Sequence, residues 1–138
     1  MSLAFPRGLA VFAGCFLPIG ETVRRWHQLN DIRMWPAWLD DILLGAFLLY
    51  AAWRVGKDQI SGQRWLAAAW GCACGMGYFS FFGQLARIGE VDPGPLSTHS
   101  MLIMKGVGLL LAVAALCVSL REPGARAPSV KASLEPGV

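Results

Sequence analysis

The sequence predicts an all-α integral membrane protein, a four-transmembrane-helix up-down bundle with a disordered C-terminal tail. Three observations lead there. Of 138 residues, 55% are hydrophobic and only 15% are charged, which is too apolar for an ordinary soluble domain of this length. The apolar residues fall in four blocks, each near the ~20 residues that cross a bilayer. Trp35, Trp38, Trp53 and Arg54 stand at the ends of one block, where amphipathic side chains settle at headgroup depth. The expected spans are residues 3–20, 37–55, 65–86 and 99–120, one transmembrane domain over 1–121, followed by a tail over 122–138.

Span one is built on the apolar run Leu9 to Ile19. That run is shorter than a bilayer crossing, so the span has to begin near Leu3 and let Arg7 snorkel. Pro18 is expected to kink or end it. Phe12-Ala13-Gly14-Cys15 resembles a lipoprotein cleavage site, but Phe12 stands where an aliphatic residue is usual. The apolar run also continues through Phe16-Leu17-Pro18-Ile19, so the span reads as retained. The first loop, Glu21 to Met34, interleaves Arg24, Arg25, His27, Asp31 and Arg33 with apolar residues. It reads as a solvated connector with a weak signal for an interfacial helix. His27 and Asp31 share the i, i+4 spacing of some metal ligands, without further ligands to complete a site.

Span two holds Asp40 and Asp41 one or two turns from its start. Carboxylates that near hydrocarbon have to be paired, protonated or facing water. Arg54 to Arg64 reads as a short polar turn between antiparallel neighbours. Span three is dense in small residues, and Gly71 and Gly75 form a small-xxx-small pair that admits another backbone. The preferred partner is another helix of this chain, because four helices already need close contacts; the alternative is a second protomer or another membrane protein. Farther along, Ser80, Gln84 and Arg87 recur at spacings of four and three, forming a polar stripe.

Gly89 to Pro95 is turn chemistry, and Ser97 or Thr98 can cap span four. Within that span Lys105, Gly108, Ala112, Ala115 and Ser119 share one face, which is expected to point into the bundle with Lys105. Beyond Glu122, Pro, Gly, Ala and Ser dominate without periodicity, and the segment reads as disordered. Cys15, Cys72, Cys74 and Cys117 all lie within spans, which argues for free thiols. Residues two apart on a helix diverge, so Cys72 and Cys74 make a poor joint metal site.

Counting Lys and Arg gives the orientation. Arg7, Arg54, Lys57, Arg64, Arg121, Arg126 and Lys131 fall on one side; Arg24, Arg25, Arg33, Arg87 and Lys105 fall on the other. The first side is read as cytoplasmic, with both termini there and the bacterial inner (plasma) membrane as the location. Whichever way the chain is oriented, an up-down bundle brings Glu21, Asp40, Asp41, Ser80, Gln84, Arg87, His99 and Lys105 to one end. Asp40, Asp41, Gln84, Arg87 and Lys105 are therefore the candidate polar site at the bundle mouth, with Lys105 expected to pair with Asp40 or Asp41. The plain alternative is that carboxylates in first helical turns are favoured by the macrodipole alone.

The sequence holds no nucleophile with its base, no metal cluster and no Gly-rich phosphate loop, and no catalytic residue, cofactor or metal is expected. It also lacks a basic tract of the kind that binds nucleic acid. Three functional readings follow. The first is a non-enzymatic membrane component that docks a partner or protomer through the mouth or through Gly71 and Gly75. The second is a proton-coupled or small-solute transporter using the acidic pair. The third is a membrane enzyme acting at the mouth on a lipid-soluble substrate, with Arg24, Arg25 and Arg87 holding an anionic headgroup.

Overall fold

The computed structural model describes residues 3–26, 32, 35–88 and 97–121. They form four α-helices, α1 (Ala4–Arg25), α2 (Trp35–Lys57), α3 (Gln59–Leu85) and α4 (Thr98–Leu120), with no strand among the described residues. His27 and Asp31, the third loop and the tail lie outside the described residues.

Contacts between helices set their directions. Arg7 Nε at the start of α1 donates to the Ala52 carbonyl near the end of α2 at 3.2 Å. At the other end, Trp38 Nε1 of α2 donates to Thr22 Oγ1 of α1 at 2.9 Å. For α3 and α4, Gln63 Nε2 donates to the carbonyls of Ser119 (2.8 Å) and Arg121 (2.7 Å), and Lys105 Nζ donates to Gln84 Oε1 at 3.0 Å. Successive helices are thus antiparallel. Each packs on its sequence neighbour; α1 meets α3 and α4 sparingly, and α2 and α4 scarcely touch.

Two boundaries depart from the sequence expectation. Pro18 lies inside α1, which runs on to Arg25. The ring does not end the helix, because it seats on Gly45 of α2, where an added Cβ would stand 2.4 Å from Pro18 Cγ and 2.8 Å from the Gly14 carbonyl oxygen. That carbonyl is the one Pro18 leaves without its helical donor. The polar turn expected over Arg54–Arg64 contracts to Asp58, the one residue there outside a helix. Its side chain accepts from Ile60 N at 3.1 Å, an N-cap that satisfies one orphan donor of α3. Asp58 N donates to the Arg54 carbonyl and Gly62 N to the Asp58 carbonyl, at 2.9 and 2.8 Å. So sharp a reversal needs glycine at 62, where a Cβ would meet Val55 Cα at 2.4 Å. At the start of α4, Ser97 is the cap, accepting from Ser100 N at 3.2 Å.

The core lies at one end of the molecule. Ala10 of α1, Leu44, Leu48, Ala51 and Ala52 of α2, Leu66, Ala69, Trp70 and Ala73 of α3, and Ala112 and Ala115 of α4 form one buried cluster. Across it, Trp70 Nε1 donates to the Pro6 carbonyl at 3.2 Å. Alanine predominates because small side chains let helix backbones approach. Of the face of α4 expected to point inward, Ala112, Ala115 and Ser119 are buried, with Ser119 Oγ donating to the Ala115 carbonyl at 2.7 Å. Lys105 is half-buried, while Gly108 is exposed.

Gly71 and Gly75 do not serve the packing expected of them within the chain. Both are exposed, and a Cβ at either would meet nothing within 4 Å. The close approaches fall at Gly14, Gly45 and Gly62, because those glycines face a neighbouring helix whereas the Gly71–Gly75 stripe faces outward. By length and composition α3 and α4, of 27 and 23 residues, could each cross a membrane, and 22% and 17% of their apolar windows are buried. All four helices present large apolar side chains outward, Phe12, Leu43, Phe79 and Leu110 among them.

These distances predict opposite signs for two sets of substitutions. Gly45→Ala and Gly62→Ala are expected to destabilise the monomer by about 1–3 kcal/mol through overpacking. Gly71→Ala and Gly75→Ala are expected to stabilise it by up to about 1 kcal/mol through helix propensity. Thermal melts of the four purified variants check the contrast.

Candidate functional site

Each helix carries an inward stripe at spacings of three and four, and the stripe changes character along its length. In α1 it runs through Leu3, Pro6, Ala10 and Gly14, all buried, to the half-buried Glu21. In α2 the buried Ala52, Leu48 and Leu44 lead to the half-buried Asp41. Leu66, Ala69 and Ala73 of α3 are buried, and the same stripe continues through half-buried Gly77, exposed Ser80 and half-buried Gln84. In α4 the order is Ser119, Ala115 and Ala112, buried, then exposed Gly108 and half-buried Lys105. A Cβ at Gly108 would meet nothing within 4 Å, although its neighbours along the stripe at 112 and 115 are buried. Close packing therefore ends above the alanine core, and Glu21, Asp41, Gln84 and Lys105 are half-buried beyond it.

Among the described side chains of residues 18–26, 35–43, 74–88 and 98–111, only Met101 is buried. Side-chain hydrogen bonds between neighbouring helices help to hold this end. Thr22 Oγ1 donates to the Pro18 carbonyl at 2.6 Å and accepts from Trp38 Nε1, fixing the end of α1 to the start of α2, one residue from Glu21 and three from Asp41. Lys105 and Gln84 tie α4 to α3 in the same way. The ammonium keeps a neutral acceptor as it enters the interior, which lowers the desolvation cost of its half-burial.

The structure thus brings Gln84 and Lys105 together and leaves Asp41 half-buried on α2. Asp40 is exposed beside it, and Arg87 is exposed one turn past Gln84. The side chains of Arg24 and Arg25 lie outside what is described. α2 and α4 scarcely touch, so the expected pairing of Lys105 with Asp40 or Asp41 would have to reach across the bundle. Spacing pointed to the residues of this end but missed three partners. Thr22, Trp38 and the Gln84 amide as acceptor for Lys105 have no sequence signature, since a neutral hydrogen bond between helices leaves no mark in charge pattern.

All four cysteines are free thiols; Cys15, Cys72 and Cys117 are exposed and Cys74 is half-buried. No group of three or more potential metal ligands occurs among the described residues. No protein-family model matches the chain, and no curated protein or solved structure matches it.

The Lys105–Gln84 tie predicts non-additivity. Lys105→Met and Gln84→Leu are expected to show a coupling energy of about 1 kcal/mol in a double-mutant cycle on unfolding. Lys105→Met paired with the exposed Ser100→Ala, which stands more than one turn away, should be additive within about 0.5 kcal/mol.

Proposed function

We propose that this chain is a non-enzymatic integral membrane component of four spans, whose open polar end docks a partner. One observation carries the reading: large apolar side chains cover the outside of all four helices, whereas Glu21, Asp41, Gln84 and Lys105 are half-buried toward one end. A water-soluble protein does not leave so much apolar surface uncovered. In hydrocarbon the same surface is satisfied, and helices pair most of their backbone groups internally. The positive charges favour a cytoplasmic closed end with both termini there, in a bacterial inner membrane. The mouth then faces the opposite side, and the uncovered Gly71–Gly75 stripe offers a second docking face within the bilayer.

The sealed end weighs against transport. Leu48, Leu66, Ala69 and Ala115 are completely buried where a polar path would have to run, and conduction needs polar or wettable lining along the whole path. Nor do the hydrogen bonds given above for the described residues of the mouth hold a nucleophile against a base, which an enzyme of acyl or phosphoryl transfer requires.

The reading predicts a one-sided pattern of accessibility. In a background with the four cysteines replaced by alanine, Ser80→Cys and Gly108→Cys should react with a membrane-impermeant maleimide added outside intact cells, and Ala69→Cys and Ala115→Cys should not. A reporter active only when exported, fused after Val138, should be silent. Labelling of the positions at 69 and 115, or an active reporter, would overturn this arrangement.

A further inference from the structure

We propose that the outer groove between α2 and α3, at the closed end, binds the phosphate of an anionic phospholipid. The inference rests on the membrane reading above and adds to it a site and a ligand class. Five cations gather at this end: Arg7 from the start of α1, Arg54 and Lys57 from the last turns of α2, Arg64 from α3 and Arg121 at the end of α4. The carboxylate among them, Asp58, already accepts the Ile60 N–H as the cap of α3. Net positive charge at headgroup depth is complementary to an anionic leaflet.

Within this ring the α2–α3 groove has the features of a built site. Arg54 is half-buried. One Nη donates to Ser61 Oγ at 2.9 Å, while Nε is shielded from solvent and has no acceptor. A guanidinium partly removed from water is costly to hold, and an anion beside its accessible Nη groups, with the buried Nε out of reach, offsets that cost through charge-assisted hydrogen bonds. Lys57 and Arg64 are exposed nearby on the two helices. On the core side of Arg54 the groove turns aromatic: Tyr50 packs edge-on against Trp65 at 5.3 Å, and both rings are 42% exposed. A free phosphate ion would touch the cations and leave this aromatic wall bare. A lipid satisfies both, its phosphate at Arg54 and its acyl chains along Tyr50 and Trp65.

The test uses the full chain extracted in mild detergent, with bound lipid read by native mass spectrometry and stability by thermal melting. Phosphatidylglycerol, phosphatidylcholine and inorganic phosphate are added in separate arms. Phosphatidylglycerol is expected to remain bound and raise the melting temperature, and the other two are not. Lys57→Gln combined with Arg64→Gln removes two exposed cations and should weaken phosphatidylglycerol binding roughly five-fold for each, with helix content unchanged by circular dichroism. Equal stabilisation by the zwitterionic lipid, a shift reproduced by inorganic phosphate alone, or undiminished retention by the double variant would each overturn the site. Failure of the membrane reading is seen separately, as release of the chain from membranes by alkaline carbonate before any lipid is added.

Discussion

Helix backbones approach closely only where the side chains between them are small, and in this chain all four helices meet that condition together at one end. Ala10, Ala51, Ala52, Ala69, Ala73, Ala112 and Ala115 gather there around Leu48, Leu66 and Trp70. Beyond them the inward positions turn to Glu21, Asp41, Ser80, Gln84 and Lys105, which are longer, polar, or both. The position of the alanines along each helix therefore decides where the interior closes. The open end is open because the residues that would seal it are absent from all four inward stripes at the same level.

The four helices were legible in the sequence because their apolar blocks are long and their ends are marked by Trp, Ser and charge. The antiparallel order was legible too, and with it the nearness of Gln84 on α3 to Lys105 on α4. Close packing was not. Gly71 and Gly75 carried the stronger motif, yet Gly45 and Gly62 make the contacts, because a spacing says that two small residues share a face and nothing about what lies opposite. Pro18 gave a similar lesson: the rule about missing donors is local, whereas its ring found a place on a glycine of the next helix. The Gln84 amide went unnoticed as a partner for Lys105 because pairing was sought in opposite charge.

Hydrogen bonds tie the helices together two by two at the open end, and across the whole molecule at the closed one. Thr22 with Trp38 and Gln84 with Lys105 each join sequence neighbours. Trp70 with Pro6 links α3 to α1, and Gln63 holds the last carbonyls of α4. The side chains exposed or half-buried beyond the alanine cluster and the cohesion of the fold thereby belong to separate parts of the chain. A substitution at Asp41 or Ser80 alters what the interior presents without touching the alanine cluster.

The single-residue reversal at Asp58 has a mechanical consequence. With one residue between them, and with Gly62 lying on the backbone of Val55, α2 and α3 can neither slide past one another nor pivot apart at that end. They form a fixed corner. The ties of Thr22 to Trp38 and of Gln84 to Lys105 carry α1 with α2 and α4 with α3, so a widening of the interior that keeps them turns one pair against the other about this corner, along the seam where α1 and α4 meet sparingly.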